Sequence, residues 1–156
     1  MSKKLPLSVL IVDDHRLFRQ GLVGLLHTRP DLVQVVGEAA TGKEAVSLTD
    51  QLHPDLVLMD ISMPGGSGIG ATETILQNRP ETAVVMLTSS DEDKDLQESV
   101  RVGAAGYLLK DLDANELFDL IAGVARGEAA MTRMMAAKLL KGLSQEKAVN
   151  NRGGDY

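Results

Sequence analysis

Five short apolar runs alternate with five helix-period segments, and no other feature of this 156-residue chain narrows its fold as much. The runs occupy residues 9–12, 33–37, 56–59, 83–87 and 107–109. Each is too short for a helix and almost wholly apolar, as a parallel strand buried on both faces must be.

The intervening segments carry helical spacing. Phe18, Leu22, Leu25 and Leu26 form one stripe, stopped near Pro30. Ala45, Leu48 and Leu52 form a second, stopped by Pro54 and opened by Thr41 with Glu44, a capping box. Ile75 and Leu76 belong to a third helix, bounded by Gly68, Gly70 and Pro80; Leu96 and Val100 mark a fourth. Ser89 or Ser90 is placed to cap that fourth helix, with Asp91, Glu92 and Asp93 at the positive end of its dipole. Leu117, Leu120, Ile121 and Val124 mark a fifth, with Asp113 and Glu116 as a second capping box. Strands alternating with helices imply a parallel sheet with right-handed crossovers and helices on both faces. The expected fold is therefore α/β, a doubly wound (βα)5 unit. By analogy, its order is flavodoxin-like, 2-1-3-4-5, with the first and third strands adjacent at the switch point.

Beyond Gly127 the character changes. Residues 132–143 read as one more amphipathic helix, with Met135, Leu139, Leu140 and Leu143 on one face. That face docks on the domain, pairs with a second copy, or leads to a further domain; the linker reading is favoured. Met131, Met134 and Met135 read as packing residues. Residues 144–156 are polar and expected to be disordered. The expected division is 7–128 for the domain, 129–143 for a linker helix and 144–156 for a tail.

Bulk properties exclude several functions. A net charge of −6 argues against a chain that binds nucleic acid by itself. With no cysteine there is neither a disulfide framework nor thiolate chemistry, which is compatible with the expected cytoplasmic location. Four aromatic residues make no platform for stacking bases. No signal peptide or membrane span is recognised.

Chemistry concentrates where the runs end. Asp60 follows Leu56-Val57-Leu58-Met59, and Asp13 and Asp14 follow Val9-Leu10-Ile11-Val12. In an open α/β sheet the carboxyl ends of the strands are the ligand-binding edge. Three carboxylates gathered there are costly unless something positive lies between them. Such a set suits Mg²⁺, a hard cation held by carboxylates, water and phosphate. A carboxylate left over is a nucleophile toward a phosphoryl group. Thr88 and Lys110 end the fourth and fifth runs and add a hydroxyl and a fixed positive charge. Alone, Asp60 is more often a strand-end cap; with four partners in register it reads as a phosphoacceptor. Asp13 or Asp14 is also a candidate helix N-cap. His15 reads as a loop residue near the site, not a phosphotransfer histidine, and His27 and His53 as helix-end residues without chemistry.

At these residues the sequence resembles the receiver domain of two-component response regulators. The resemblance covers residues 7–128 and rests on Asp13-Asp14, Asp60 with Met63-Pro64-Gly65, Thr88, Tyr107 and Lys110. Val12-Asp13-Asp14-His15, Arg19, Gly21-Leu22, Gly37-Glu38-Ala39 and the run from Gly103 to Lys110 are similar to the NarL/FixJ (LuxR) type. The resemblance implies that Asp60 accepts a phosphoryl group from a sensor histidine kinase. It implies that Asp14 ligates Mg²⁺ directly, Asp13 largely through water, and Ser62 through its backbone carbonyl. Lys110 would bind the phosphoryl oxygens, Thr88 would move to hydrogen-bond the phosphoryl group, and Tyr107 would swing inward in response. Such a protein is not an enzyme in the ordinary sense, although it assists its own phosphorylation and dephosphorylation.

The chain departs from the family at two positions: Gly66 replaces a larger apolar residue, and Asp111 replaces the proline that often follows the lysine. Ser62 and Ser90 are small at positions that, in this family, tune phosphoryl loss. Without that proline the cis peptide common at that junction is not fixed by the sequence, which leaves Lys110-Asp111 open between cis and trans. Members of this type usually continue into a helix-turn-helix domain that binds DNA, so the chain reads as a fragment of a transcription regulator that dimerises on phosphorylation. The alternative is a stand-alone receiver acting through protein contacts. A haloacid-dehalogenase-like phosphatase needs an Asp-x-Asp pair after the first strand. A flavodoxin-like electron carrier needs a phosphate loop where Asp13 and Asp14 would repel it.

Overall fold

The computed structural model describes residues 2–63, 68–89, 93–131 and 135–142. Six strands and five helices follow in chain order: β1 (Leu7–Val12), α1 (Arg16–Leu26), β2 (Val33–Ala39), α2 (Gly42–Leu52), β3 (Leu56–Asp60), α3 (Gly68–Asn78), β4 (Ala83–Thr88), α4 (Asp93–Arg101), β5 (Gly106–Leu109), α5 (Ala114–Ala125) and β6 (Ala130–Met131). A further helical stretch covers residues 135–142. The sheet is parallel, in the order β2-β1-β3-β4-β5-β6. The expected order of the first five strands holds. The sixth strand is an addition to the five expected: Ala130 and Met131 pair with Gly106 and Tyr107. Two residues are too few to show any period in the sequence.

Alternation along each strand divides the core in two. Val9, Ile11, Leu56, Leu58, Val85, Leu87 and Leu108 face α1 and α5, where Leu22, Leu26, Leu117, Phe118, Ile121 and Val124 meet them. Leu10, Val12, Val57, Met59, Val84, Met86 and Tyr107 point the other way, onto Ala45, Ala71, Ile75 and Leu96 of α2, α3 and α4. All five residues of β3 are buried, which explains its unbroken apolar wording. Each fully buried Leu or Val contributes about 1.5–3 kcal/mol.

The helices follow their stripes with corrections at the edges. Thr41 caps α2 as expected, its Oγ1 accepting the Glu44 N–H at 3.1 Å. Asp113 stands at the N-cap of α5, but its side chain makes no capping hydrogen bond. Neither Asp13 nor Asp14 caps α1, whose N-cap position is His15. Asp13 is instead drawn into the site described below. In α4 Leu96 is buried but Val100 is 41% exposed, and Ser99 takes the inner position, its hydroxyl donating to the Asp95 carbonyl. Ser90, Asp91 and Glu92 lie outside the described residues. His27 and His53 are the C-cap residues of α1 and α2. Among the described residues the one cis peptide is Leu5–Pro6, so the link after Lys110, which the sequence left open, is trans.

The stretch at 135–142 is docked on the domain. Met135 is 1% exposed and packs in the cluster that holds Leu96 and Tyr107, with Leu139 and Met131 against it. Gly142 lies beside Gln97 of α4. Leu140, expected on the same face, is 67% exposed, because the face that docks is centred on Met135 and Leu139. Met134, Leu143 and the tail 144–156 lie outside the described residues.

Candidate functional site

The strand ends line up because their backbones are bonded there. Val12 pairs with Met59, Asp60 with Leu87, and Thr88 with Leu109. Hydrogen bonds continue the alignment past the strands: Asp13 N–H donates to Ala39, Ile61 N–H to Leu87, and Lys110 N–H to Thr88. Asp13, Asp60, Thr88 and Lys110 therefore share one edge, as expected from their positions after apolar runs.

At that edge the Lys110 ammonium stands 2.7 Å from Asp13 Oδ2 and 3.5 Å from Asp60 Oδ1. Asp13 and Asp60 are 1% and 3% exposed. The backbone N–H of Ser62 donates to Asp60 Oδ1 at 3.3 Å. The other Asp60 oxygen, Oδ2, is buried and accepts no hydrogen bond among the described residues. Burial first, and then the neighbouring Asp13 charge, push the Asp60 carboxyl up to about 6. Lys110 and the Ser62 N–H oppose that rise. An ionised Asp60 is thus short of positive charge even with the lysine beside it.

The carboxylates fit the cation that the sequence suggested. Asp13, Asp14, His15 and Asp60 each place one possible ligand atom within 4.8 Å of all the others. Their oxygens are hard donors, and the bare Asp60 Oδ2 is an acceptor that a cation would satisfy. Asp14 is half-buried, while Ser62 is exposed beside Asp60. Thr88, 2% exposed, ends β4 one strand away from Asp60. Tyr107 is 1% exposed and belongs to the apolar cluster that also holds Met135, with Met131 packed against it.

Four further residues support the site, of which the sequence placed only His15 near it. Arg19 Nη1 donates to the Asp13 carbonyl at 2.6 Å, and its Nε pairs with Glu38 at 2.9 Å. Its signal is position: one turn into α1, it reaches back over the strand ends. Phe18 lies under Lys110, whose Nζ is 4.6 Å from the ring centre. Gly68 opens α3 so close to β3 that a Cβ there would collide with the Asp60 carbonyl oxygen. His15 is the fourth; its N–H donates to Asp13 Oδ1 at 2.7 Å.

Comparison with known proteins agrees with this geometry. Residues 9–122 match the response regulator receiver domain. The chain is 36% identical over 135 residues to the transcriptional regulatory protein DegU of Brevibacillus brevis, covering 86% of this chain and 57% of the relative. It is 41% identical over 132 residues to the uncharacterised transcriptional regulatory protein YxjL of Bacillus subtilis, covering 85% and 60%. The chain therefore spans less than two thirds of the length of these curated relatives. In three dimensions it is similar to a LuxR-family two-component response regulator from Aurantimonas sp. SI85-9A1, with a TM-score of 0.82, 32% identity, and coverage of 88% of this chain and 98% of the other. No described helix is long and apolar enough to cross a membrane. With an acid-and-lysine edge on a 2-1-3-4-5 sheet and a family match over most of its length, the chain belongs to the response regulator receiver domains, of the NarL/LuxR type.

Proposed function

We propose that this chain is a phosphorylation switch in which Asp60 accepts a phosphoryl group from a sensor histidine kinase. The observation that carries the reading is Lys110, which reaches both buried carboxylates, Asp13 and Asp60. The Asp60 carboxylate attacks phosphorus as the bond from phosphorus to the donor imidazole breaks. The product is a mixed anhydride on Asp60, and the departing imidazole recovers its lone pair. Asp13, Asp14, Asp60 and the Ser62 carbonyl would hold Mg²⁺, which when bound neutralises charge on the transferring group. Lys110, now held on two carboxylates, turns to the phosphoryl oxygens. Thr88 donates its hydroxyl to another of those oxygens.

The output follows from the cover over Tyr107. A shift of Thr88 alters the packing of Tyr107, which pairs with Met131 across the sheet and shares one apolar cluster with Met135. The change is a bias between two packed states. DNA binding would belong to a further domain, as the transcriptional regulators among the relatives suggest, and residues 129–143 would join the two.

Incubation with Mg²⁺ and acetyl phosphate tests the reading by intact-protein mass. Wild type is expected to gain one phosphoryl group and Asp60→Asn none. An unmodified wild type, or equal labelling of the variant, overturns the proposal.

A further inference from the structure

The His15 imidazole takes no part in the scheme above, yet it stands inside the carboxylate cluster. Its Nδ1 lies 3.2 Å from Asp13 Oδ1 and 3.3 Å from Asp14 Oδ1. The two oxygens of Asp13 are divided: Oδ2 faces Lys110 and Oδ1 faces His15. An octahedral ion with bonds of about 2.1 Å needs neighbouring donors about 3 Å apart and opposite donors about 4.2 Å apart. The four candidate donors, all within 4.8 Å of one another, need only a small contraction to meet that requirement. Two members are held rigidly. Asp13 is 1% exposed, and Asp60 is 3% exposed with Oδ2 buried and unsatisfied. The His15 ring is free to adjust, since its side chain is 68% exposed while its N–H stays bonded to Asp13.

A set of carboxylates alone suits Mg²⁺. An imidazole nitrogen adds little for Mg²⁺, modestly more for Mn²⁺ and much more for Co²⁺, because affinity for nitrogen donors rises along the first-row series from manganese. We infer that His15 is a nitrogen ligand of this cation site and shifts its preference from Mg²⁺ toward first-row transition ions. The inference rests on the reading of Asp13, Asp14 and Asp60 as a cation site.

The full chain, stripped with chelator and held at pH 7.5, is titrated with Mn²⁺, Co²⁺ and Mg²⁺. Pulsed electron paramagnetic resonance of the Mn²⁺ complex reads nitrogen coupling directly. Wild type is expected to show that coupling. His15→Ala is expected to lose it and to bind Co²⁺ about tenfold more weakly, with a smaller loss for Mn²⁺, judged against the cost of removing groups that orient metal ligands. Mg²⁺ affinity should stay within about twofold, which also reports that the variant is folded. Mn²⁺ bound without nitrogen coupling, or equal weakening for all three ions, overturns the role of His15 alone. Mn²⁺ binding that is absent, or indifferent to Asp14→Asn, overturns the cation site and the inference with it.

Discussion

The Lys110 ammonium stands closer to Asp13 than to Asp60, at 2.7 Å against 3.5 Å. One lysine thus serves two buried carboxylates and fully satisfies neither. Removing it leaves both without compensation. Lys110→Met is expected to lower stability by about 3 kcal/mol at pH 8 in chelator, the cost of orphaning a buried charge. Urea unfolding measures it. The loss should shrink below pH 6, where Asp60 takes up a proton in the folded state. A loss that does not change with pH would contradict this account.

Asp60 itself weakens the cation-free fold. Its carboxyl titrates near 6 when folded and near the ordinary 3.8 when unfolded. Between those values the folded state binds the extra proton, so this group makes stability rise as pH falls from above 6 toward 4. Asp60→Asn removes the like charge and should raise Tm in chelator at pH 7.5 by about 3 °C or more. It should also flatten that part of the pH dependence. Saturating Mg²⁺ should stabilise the wild type more than the variant, a contrast that a thermal scan resolves.

Gly68 is an unlabelled constraint on the phosphoacceptor. A methyl group there meets backbone, the Asp60 carbonyl, and backbone cannot turn aside as a flexible side chain can. Gly68→Ala is expected to cost about 1–3 kcal/mol and to slow acetyl-phosphate labelling of Asp60 by displacing the end of β3. Normal labelling with full stability would show that α3 shifts freely.

The cover over Tyr107 is open to a spectroscopic test. Met135 is buried in the cluster that contains Tyr107. Met135→Ala should cost about 2–4 kcal/mol and make Tyr107 accessible to a quencher. The measurement uses a Tyr156→Phe background, which leaves Tyr107 as the single tyrosine. Unchanged quenching would mean that the stretch at 135–142 does not shield it.

What the sequence makes legible here is whatever repeats or carries charge. The apolar runs announce β1 to β5 because strands buried on both faces need unbroken Val, Leu and Ile. Asp13, Asp60, Thr88 and Lys110 stand out because a polar residue immediately after such a run has one place to go. Features defined by shape rather than period stay hidden. Gly68 resembles any loop glycine until α3 is seen against Asp60. Phe18 reads as helix core and Arg19 enters only through the resemblance, although one lies under Lys110 and the other braces the Asp13 backbone. Asp113 has the residue type and spacing of a cap but makes no capping bond, since spacing sets only the opportunity.

The sixth strand bears on how the protein tolerates being shortened. Ala130 N–H donates to the Ala105 carbonyl, and β6 lies along Gly106 and Tyr107. Gly106 accommodates it, since a side chain there would run into the Ala130 carbonyl. A chain cut after residue 128 would strip this strand away and leave β5 with a bare row of amides and carbonyls beside a newly uncovered tyrosine. Such an edge invites pairing with its own copy. Self-association of a trimmed domain would then report a missing strand and carry no information about signalling.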